Sequence, residues 1–129
     1  GIPQHPNDIE KRHHVVSYFS GSTRRIYPHE FKKGDEYVEL NGPYRVSVNE
    51  SNAHLAAVLG GFGISQVISF QAEPLLESGE LIELLPDWHR DPLPIHVVYP
   101  PNRHLSAKVR AFVDWAAELF AKNPRLQRR

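Results

Sequence analysis

The chain has 129 residues, of which 40% are hydrophobic and 23% are charged, a balance typical of one globular domain and not of a disordered chain. Fifteen Lys and Arg residues offset fifteen Asp and Glu residues, so the chain lacks the basic surplus expected of a nucleic-acid contact. There is no Cys, which excludes disulfide bonds and thiolate chemistry and fits the reducing cytoplasm, the expected location. No apolar run could span a bilayer and no signal peptide is visible, so no membrane partner is expected. Met is absent even at position 1, and we therefore expect a trimmed chain or a fragment.

The N-terminal segment is predicted to contain a helical turn and a strand. Pro6–Arg12 has the pattern of a short helix, with Asn7 or Asp8 as its N-cap. His14–Phe19 is rich in β-branched and aromatic residues, which favours a strand. The segments that follow are a loop at Ser20–Arg25 and a short strand at Ile26 and Tyr27.

A hairpin is predicted in the middle of the chain. Asn41-Gly42 is a strong turn signal, because both residues accept the positive φ angles of a type I′ turn. The flanking segments Tyr37–Leu40 and Tyr44–Val48 alternate in the manner of strands. We therefore expect these two segments to form an antiparallel pair, preceded by a turn at Lys32–Glu36.

The second strand of that pair leads into a polar turn, Asn49–Asn52, and then a helix that ends at Gly60 and Gly61. The apolar residues with helical spacing are Leu55, Val58, Leu59 and Phe62. In open α/β sheets, small ligands bind at turns that follow the carboxyl ends of strands, and helix N-termini suit anions. Asn49–Asn52 is therefore either an ordinary helix N-cap, which accounts for one of its residues, or a turn of four consecutive polar residues that faces a ligand.

Strands and helices are predicted to alternate over the rest of the chain, which indicates an α/β fold with a mixed sheet. The predicted strands are Ser65–Val67, Leu81–Leu85 and Pro94–Tyr99, of which the last has the strongest pattern. A helix over Ser69–Ser78 either begins near Pro74 or bends there. Ser106 caps a long helix that reaches about Lys122. The apolar stripe of this helix comprises Val109, Phe112, Val113, Ala116, Leu119 and Phe120.

Motifs for catalysis or metal binding are incomplete. Gly61–Ser65 lacks the third glycine of a dinucleotide fingerprint, where Gln66 stands, and the second glycine of a nucleophile elbow, where Val67 stands. The eight histidines show no metal-ligand spacing, so we expect them to be exposed or locally bonded and predict no metal or cofactor. An enzyme, which would depend on Ser65 or His54, is the least favoured interpretation.

Eight stretches in a fixed order resemble the effector-binding domain of LysR-type transcriptional regulators. They are Gly1–Ile9 with His13, Val16–Tyr18, Val46–Glu50, Ala56–Ile64, Leu76–Leu81, Leu84–Trp88, Pro94–Pro100 and Arg103–Trp115. The order of these stretches over about residues 1 to 120 is what makes the resemblance specific.

The resemblance implies a lobe like those of periplasmic binding proteins, with a mixed sheet, over residues 1–90. Residues 94–121 would be a strand and a long C-terminal helix that return to the other lobe. The chain would then be a partial effector-binding domain over residues 1–121, with a flexible tail over 122–129. The residues expected in the wall of the effector cleft are Tyr18, Phe19, Val48, Asn49, Glu50, Ser51, Phe62, Gly63 and Ser65.

The implied function is that of a non-enzymatic sensor in a DNA-binding regulator. The sensor would bind a small molecule, expected to be an organic acid, between two lobes. Contact with DNA would occur only through a helix-turn-helix domain that this sequence does not contain. Because the stripe of the C-terminal helix lacks a sheet to cover, we expect it to pack on a neighbouring chain in a homo-oligomer. The alternative is a stand-alone periplasmic-type solute-binding protein.

Overall fold

The computed structural model of the chain describes residues 1–100 and 106–127. The chain divides into two compact units, Gly1–Arg90 and Asp91–Arg129. The strands are β1 (Val15–Tyr18), β2 (His29–Lys33), β3 (Glu36–Leu40) and β4 (Tyr44–Val48). The helices are α1 (Pro6–Arg12), α2 (Ser51–Leu59), α3 (Ser69–Glu77), α4 (Ala107–Lys122) and α5 (Pro124–Gln127).

The helix α1 forms where it is predicted, but its N-cap is His5 and not Asn7 or Asp8. The ring Nδ1 of His5 accepts a hydrogen bond from the backbone N–H of Asn7, at 3.2 Å. The Asp8 carboxylate accepts in return from the backbone N–H of His5, at 3.0 Å. This reciprocal pair is a capping box in which an imidazole takes the place of the usual hydroxyl.

Parallel pairing organises the first unit. β1 pairs with β4 in parallel, and Tyr18 lies opposite Val48. On the other edge of β1, Ile64 forms a parallel bridge, in which Val16 N–H donates to the Ile64 carbonyl at 2.9 Å and Ile64 N–H donates to the His14 carbonyl at 2.9 Å. The three segments run in the same direction, so their carboxyl ends meet at one edge, where open α/β sheets bind ligands.

The predicted pairing of β3 with β4 is wrong. β3 instead pairs with β2 in an antiparallel hairpin that turns at Gly34, whose φ is 58°. A two-residue hairpin at Asn41-Gly42 would require an N–H donor on the next residue, and Pro43 has none. The chain at Pro43 turns toward β1, where the Pro43 carbonyl accepts from the Val15 N–H at 3.1 Å. β2 occupies part of the segment that was predicted to be a turn.

Three other strands predicted in the first unit, at Ile26 and Tyr27, Ser65–Val67 and Leu81–Leu85, do not form, and Ile26 makes only an isolated bridge to Phe19. After Ile64, the side chain of Gln66 takes the place of a strand. Its Oε1 atom accepts from the backbone N–H of Glu30 at 3.2 Å, and its Nε2 atom donates to the Glu30 carbonyl at 2.7 Å. In the segment Leu81–Leu85, Leu85 has a left-handed φ of 56° and is buried. Packing, and not strand pairing, therefore fixes the end of this segment.

The core of the first unit joins the sheet, the hairpin and α1. Its buried residues are Ile9, Val15, Phe31, Leu40 and Leu85, and the partly buried residues that pack against them are Val38, Tyr44, Ile64 and Trp88. Burial of one such side chain contributes about 1.5–3 kcal/mol. The hairpin is thereby held against the parallel strands although it makes no ladder with them.

The helices that follow β4 differ from expectation in their buried faces. α2 ends at Leu59 and is followed by Gly61 in a left-handed conformation, as predicted, but Leu59 and Phe62 are exposed. The residue that α2 buries is His54. α3 begins at Ser69 and contains Pro74 in its interior, so the alternative in which this helix begins near Pro74 is wrong.

The second unit contains α4 and α5. Ser106 caps α4 as predicted, since its hydroxyl accepts from the Val109 N–H at 3.3 Å. Pro94–Tyr99 is not a strand, because a strand is stable only beside a partner. Val98 in this segment is 89% exposed. Where a flexible tail was predicted, Pro124–Gln127 forms α5; positions 128 and 129 of that tail lie outside the described residues. Within the described residues, no helix is both long enough and apolar enough to cross a membrane.

Candidate functional site

The carboxyl ends of β1 and β4 are joined to each other by two hydrogen bonds. The backbone N–H of Phe19 donates to the Val48 carbonyl at 2.8 Å. The hydroxyl of Tyr18 donates to the Asn49 carbonyl, also at 2.8 Å. Four of the predicted site residues are therefore brought together at one edge of the sheet.

A groove with a volume of about 580 Å³ opens beside this edge. Its lining residues are Phe19, Gly21, Arg24, Ile26, Ser47 and Asn49. Gly21 packs closely on the groove wall, because a Cβ atom at that position would lie 3.3 Å from the Asn49 side-chain nitrogen. The lining combines two apolar side chains with an amide, a hydroxyl and one cation.

Arg24 provides the positive charge of the groove. Its φ is 57°, an uncommon conformation for a residue with a side chain, and its N–H donates to the Ser20 carbonyl at 2.8 Å. Within the described residues, no carboxylate forms a salt bridge with Arg24. The side chain of Arg24 is exposed.

The N-terminus of α2 already has an anion in place, which changes the prediction made for the turn Asn49–Asn52. The Glu50 carboxylate accepts from the backbone N–H groups of Asn52 at 2.9 Å and Ala53 at 2.8 Å. These backbone hydrogen bonds lower the pKa of Glu50. Glu50 and Ser51 therefore belong to the cap and first turn of α2, and the helix N-terminus is not open to an external anion.

Ser65 lies away from the groove, in a buried polar cluster with two histidines. Its hydroxyl donates to the Val16 carbonyl at 2.7 Å. The Nε2 atom of His54 lies 2.6 Å from Ser65 Oγ, and that of His29 lies 3.3 Å from it. With the hydroxyl proton directed to Val16, both imidazoles would donate to Ser65 through Nε2–H, and His54 Nε2 also lies 3.4 Å from the Val16 carbonyl.

Burial keeps both histidines of this cluster neutral. His29 is 6% exposed and His54 is 8% exposed, which contradicts the expectation that the histidines are exposed or locally bonded. Burial, with smaller contributions from nearby His54 and Arg90, lowers the pKa of His29 from 6.5 to about 4. Burial also lowers the pKa of His54, against a smaller opposing effect of its bond to the Val16 carbonyl.

The serine hydroxyl of the cluster has a main-chain acceptor. A catalytic serine gives its proton to histidine, whereas Ser65 can donate to the Val16 carbonyl at 2.7 Å. Within the described residues, no three His, Cys, Asp or Glu side chains are grouped in a way that could hold a metal ion.

The last two predicted site residues have different roles. Phe62 is exposed and lies just after α2, and it does not line the groove. Gly63 packs against β1, since a Cβ atom there would lie 2.5 Å from the His14 carbonyl oxygen. The glycine loop therefore holds the chain to β1.

Several residues of the groove and the cluster were not singled out from the sequence. They are Gly21, Arg24, Ile26, Ser47 and His29. The one available signal was position, because Arg24 lies in the loop that follows Phe19, a residue expected in the wall of the cleft.

Comparison with known protein families supports the resemblance. The family model described as "LysR substrate binding domain" matches residues 1–121. The HTH-type transcriptional repressor PA14_22550 of Pseudomonas aeruginosa is 36% identical over 122 residues, which cover 95% of this chain and 38% of that protein. The uncharacterized HTH-type transcriptional regulator YhjC of Escherichia coli is 35% identical over 123 residues, which cover 91% of this chain and 39% of that protein. The chain therefore spans about two-fifths of the length of these relatives.

Solved structures show the same fold. A crystal structure of a full-length variant of AphB superposes with a TM-score of 0.68 at 20% identity, covering 90% of this chain and 38% of that one. The regulatory domain of AphB from Vibrio vulnificus gives a TM-score of 0.62 at 22% identity, covering 91% of this chain and 57% of that one. The predicted α/β fold, like that of a periplasmic binding protein, is thereby confirmed.

These two relatives are named as transcriptional regulators and not as enzymes or solute-binding proteins. Because the family model covers nearly the whole sequence, the chain belongs to the LysR substrate-binding domain family.

Proposed function

We propose that this chain is the effector-sensing part of a LysR-type regulator and that the groove at the ends of β1 and β4 forms one wall of its effector site. The observation that supports this most directly is the groove itself, which lies at the carboxyl ends of parallel strands. In the complete regulator, a helix-turn-helix domain would contact DNA in the cytoplasm, and the rest of the effector domain would supply the opposite wall.

The lining of the groove favours an organic acid as the effector. Arg24 presents a guanidinium, which pairs well with a carboxylate, while Asn49 and Ser47 offer hydrogen bonds. Phe19 and Ile26 offer an apolar surface to the body of such a molecule. Because Glu50 occupies the N-terminus of α2, the carboxylate would be recognised at Arg24.

The exposed face of α4 supports the proposal that the chain assembles with copies of itself. Phe112 is 57% exposed, Trp115 is 58% exposed and Leu119 is 49% exposed. Contiguous apolar surface of this kind marks an interaction site in a soluble protein. A homo-oligomer in which α4 packs on a neighbouring copy would cover this face.

The ligand proposal is tested by titrating the ¹⁵N-labelled chain with benzoate and following its amide resonances. Benzamide, which has a similar shape without the charge, serves as the matched ligand control. We expect benzoate, and not benzamide, to shift the resonances of Phe19, Gly21 and Asn49. Arg24→Gln should abolish these shifts, whereas the neighbouring substitution Arg25→Gln should leave them unchanged.

Two results would contradict the proposal. Equal shifts with benzamide would show that the negative charge of benzoate does not contribute to binding. Equal loss of binding in Arg24→Gln and Arg25→Gln would show that the basic loop attracts benzoate only non-specifically. Two adjacent cations screened by water act alike at long range.

A further inference from the structure

The cluster of His29, Ser65 and His54 joins four separate parts of the fold through one hydroxyl group. His29 is on β2, His54 is on α2, and Ser65 follows the Ile64 bridge. The hydroxyl proton of Ser65 goes to the carbonyl of Val16 on β1. One donated and two accepted hydrogen bonds use the full capacity of a serine hydroxyl.

The surroundings of the cluster disfavour positive charge. The charged groups that act on His29 are Arg90, which is a cation, and His54. The nearest carboxylate on its own strand, Glu30, is already bonded to Arg90 Nε at 3.1 Å and to the Tyr37 hydroxyl at 3.2 Å. His29 Nδ1 is buried and has no hydrogen-bond partner. A proton added there would place a charge and an unpaired N–H in the interior.

The cluster is also connected to the groove. The ring of Tyr18 meets the ring of His54 edge to face, with centroids 5.8 Å apart and planes at 74°. The hydroxyl of the same Tyr18 holds the Asn49 carbonyl, and Asn49 lines the groove. A movement of His54 would therefore be transmitted to Asn49 in the groove through the side chain of Tyr18.

We infer that the His29–Ser65–His54 cluster is a protonation-sensitive latch: acidification releases the Ile64–Ser65 segment from β1 and alters the wall of the groove. The opening of the latch is a property of the fold alone. The further inference that pH regulates effector binding rests on the proposed function of the groove.

The latch is tested without any ligand by amide hydrogen exchange, corrected for intrinsic rates, at about pH 7.5 and about pH 5. The reporters are the amides of Val16 and Ile64, which form the bridge between β1 and the Ile64 segment. We expect their protection to fall by roughly tenfold at the lower pH, while the β2–β3 ladder changes by less than about twofold. Unchanged protection, or an equal loss throughout the chain, would overturn the inference.

His29→Gln and His54→Gln are the informative substitutions, because a glutamine amide can donate to Ser65 but does not titrate. Protection of the two reporters at about pH 5 should then stay within about twofold of its value at about pH 7.5. The control is His96→Gln, at an exposed position in the second unit, which should keep the pH response of the unmodified chain.

A second measurement applies even if the glutamine variants do not fold. The ¹⁵N shifts of the imidazoles in the unmodified chain report which ring nitrogen carries the proton. Both histidines should carry it on Nε2 at about pH 7.5. A proton on Nδ1 of either ring would overturn the inference, since that ring could not donate to Ser65.

The consequence for binding is tested with benzoate, which stays ionised at about pH 5.5. Its affinity should be roughly fivefold weaker at about pH 5.5 than at about pH 7.5, and this difference should disappear in the double variant His29→Gln/His54→Gln. If benzoate does not bind at either pH while the exchange result holds, the proposed function fails and the latch stands. If benzoate binds with the same affinity at both pH values, the regulation is overturned.

Discussion

The Tyr18 hydroxyl donates a hydrogen bond to the Asn49 carbonyl across 2.8 Å. This bond ties the last residue of β1 to the first residue after β4 and so fixes the edge on which the groove opens. Because the residue that follows each strand lines the groove, the bond should contribute both to stability and to the shape of the groove.

Tyr18→Phe removes this hydrogen bond and keeps the ring. We expect the free energy of unfolding to fall by about 1 kcal/mol, the usual net value of one such bond. Urea denaturation followed by circular dichroism measures this loss. Tyr27→Phe is the matched control, since Tyr27 is half-exposed on the neighbouring loop and its ring lies 6.3 Å from that of Tyr18. An equal effect of the two substitutions would show that the bond to Asn49 contributes nothing specific.

Gly63→Ala should be strongly destabilising. The added Cβ atom would lie 2.5 Å from the His14 carbonyl oxygen, and φ at this position is 156°. Since the carbonyl accepts the Ile64 N–H, relief of the clash requires separation of the loop from β1. We expect a loss of more than about 2 kcal/mol in urea denaturation.

Gly61→Ala is the control for that substitution. Its φ is 74°, but no atom lies within 4 Å of the added Cβ, so only the backbone cost of about 1–2 kcal/mol applies. A smaller loss for Gly63→Ala than for Gly61→Ala would contradict the close packing of the glycine loop on β1.

Local patterns in the sequence predicted most elements but not their pairing. The periodicity of β1, β3, β4 and α4 and the helical signals of α1 and α3 are short-range properties, and each of these elements is present. Pairing depends on long-range geometry. The turn signal at Asn41-Gly42 indicated a hairpin, but the missing N–H of Pro43 rules that hairpin out, and β4 joins β1 instead. β2 was missed because its pattern begins beside a proline and includes two lysines.

The candidate site could be predicted only in part, again because local patterns do not reveal long-range geometry. Phe19 and Asn49 were identified because they follow strands, and both line the groove. Arg24 was not, because its direction depends on a backbone conformation at positive φ that the sequence does not reveal. The buried cluster joins His29 to Ser65 across 36 positions, and no local pattern encodes such a contact.

Glu50→Gln should weaken the first turn of α2. The carboxylate bonds two backbone N–H groups, and a neutral amide is a weaker acceptor that also loses the attraction of the helix dipole. Hydrogen exchange at the amides of Asn52 and Ala53 should therefore become faster, while exchange in α3 stays unchanged. Glu77→Gln, at the end of α3, is the control. Unchanged exchange at both amides would show that Glu50 does not act as the cap.

The stability of the chain should fall in acid before its carboxylates titrate. The pKa of His29 is lowered from 6.5 to about 4, and that of His54 is also lowered. Because the unfolded chain then binds protons more readily than the folded one, stability is complete above about pH 6.5 and decreases as the pH falls toward 4. His29 alone accounts for a loss of about 3 kcal/mol across this window.

Urea denaturation at a series of pH values measures this dependence. The carboxylates with lowered pKa, Asp8 and Glu50, lose their contributions only below their ordinary values of 3.8 and 4.5, so the slope above about pH 5 reports the histidines. His29→Gln should flatten the curve between about pH 6.5 and pH 5, and His96→Gln should not. An unchanged slope in His29→Gln would assign the acid sensitivity to other groups.

The exposed face of α4 leads to a prediction about assembly. Three large apolar side chains of this helix, Phe112, Trp115 and Leu119, are each about half exposed, and water disfavours such a surface. Multi-angle light scattering should therefore give a mass at least twice the 14.7 kDa of one chain. Trp115→Glu places a charge within this face and should yield the monomer, because a charge buried at an interface without a partner is costly. Arg110→Glu alters an exposed charge on the same helix and should leave the mass unchanged. A monomeric unmodified chain would contradict self-association through α4.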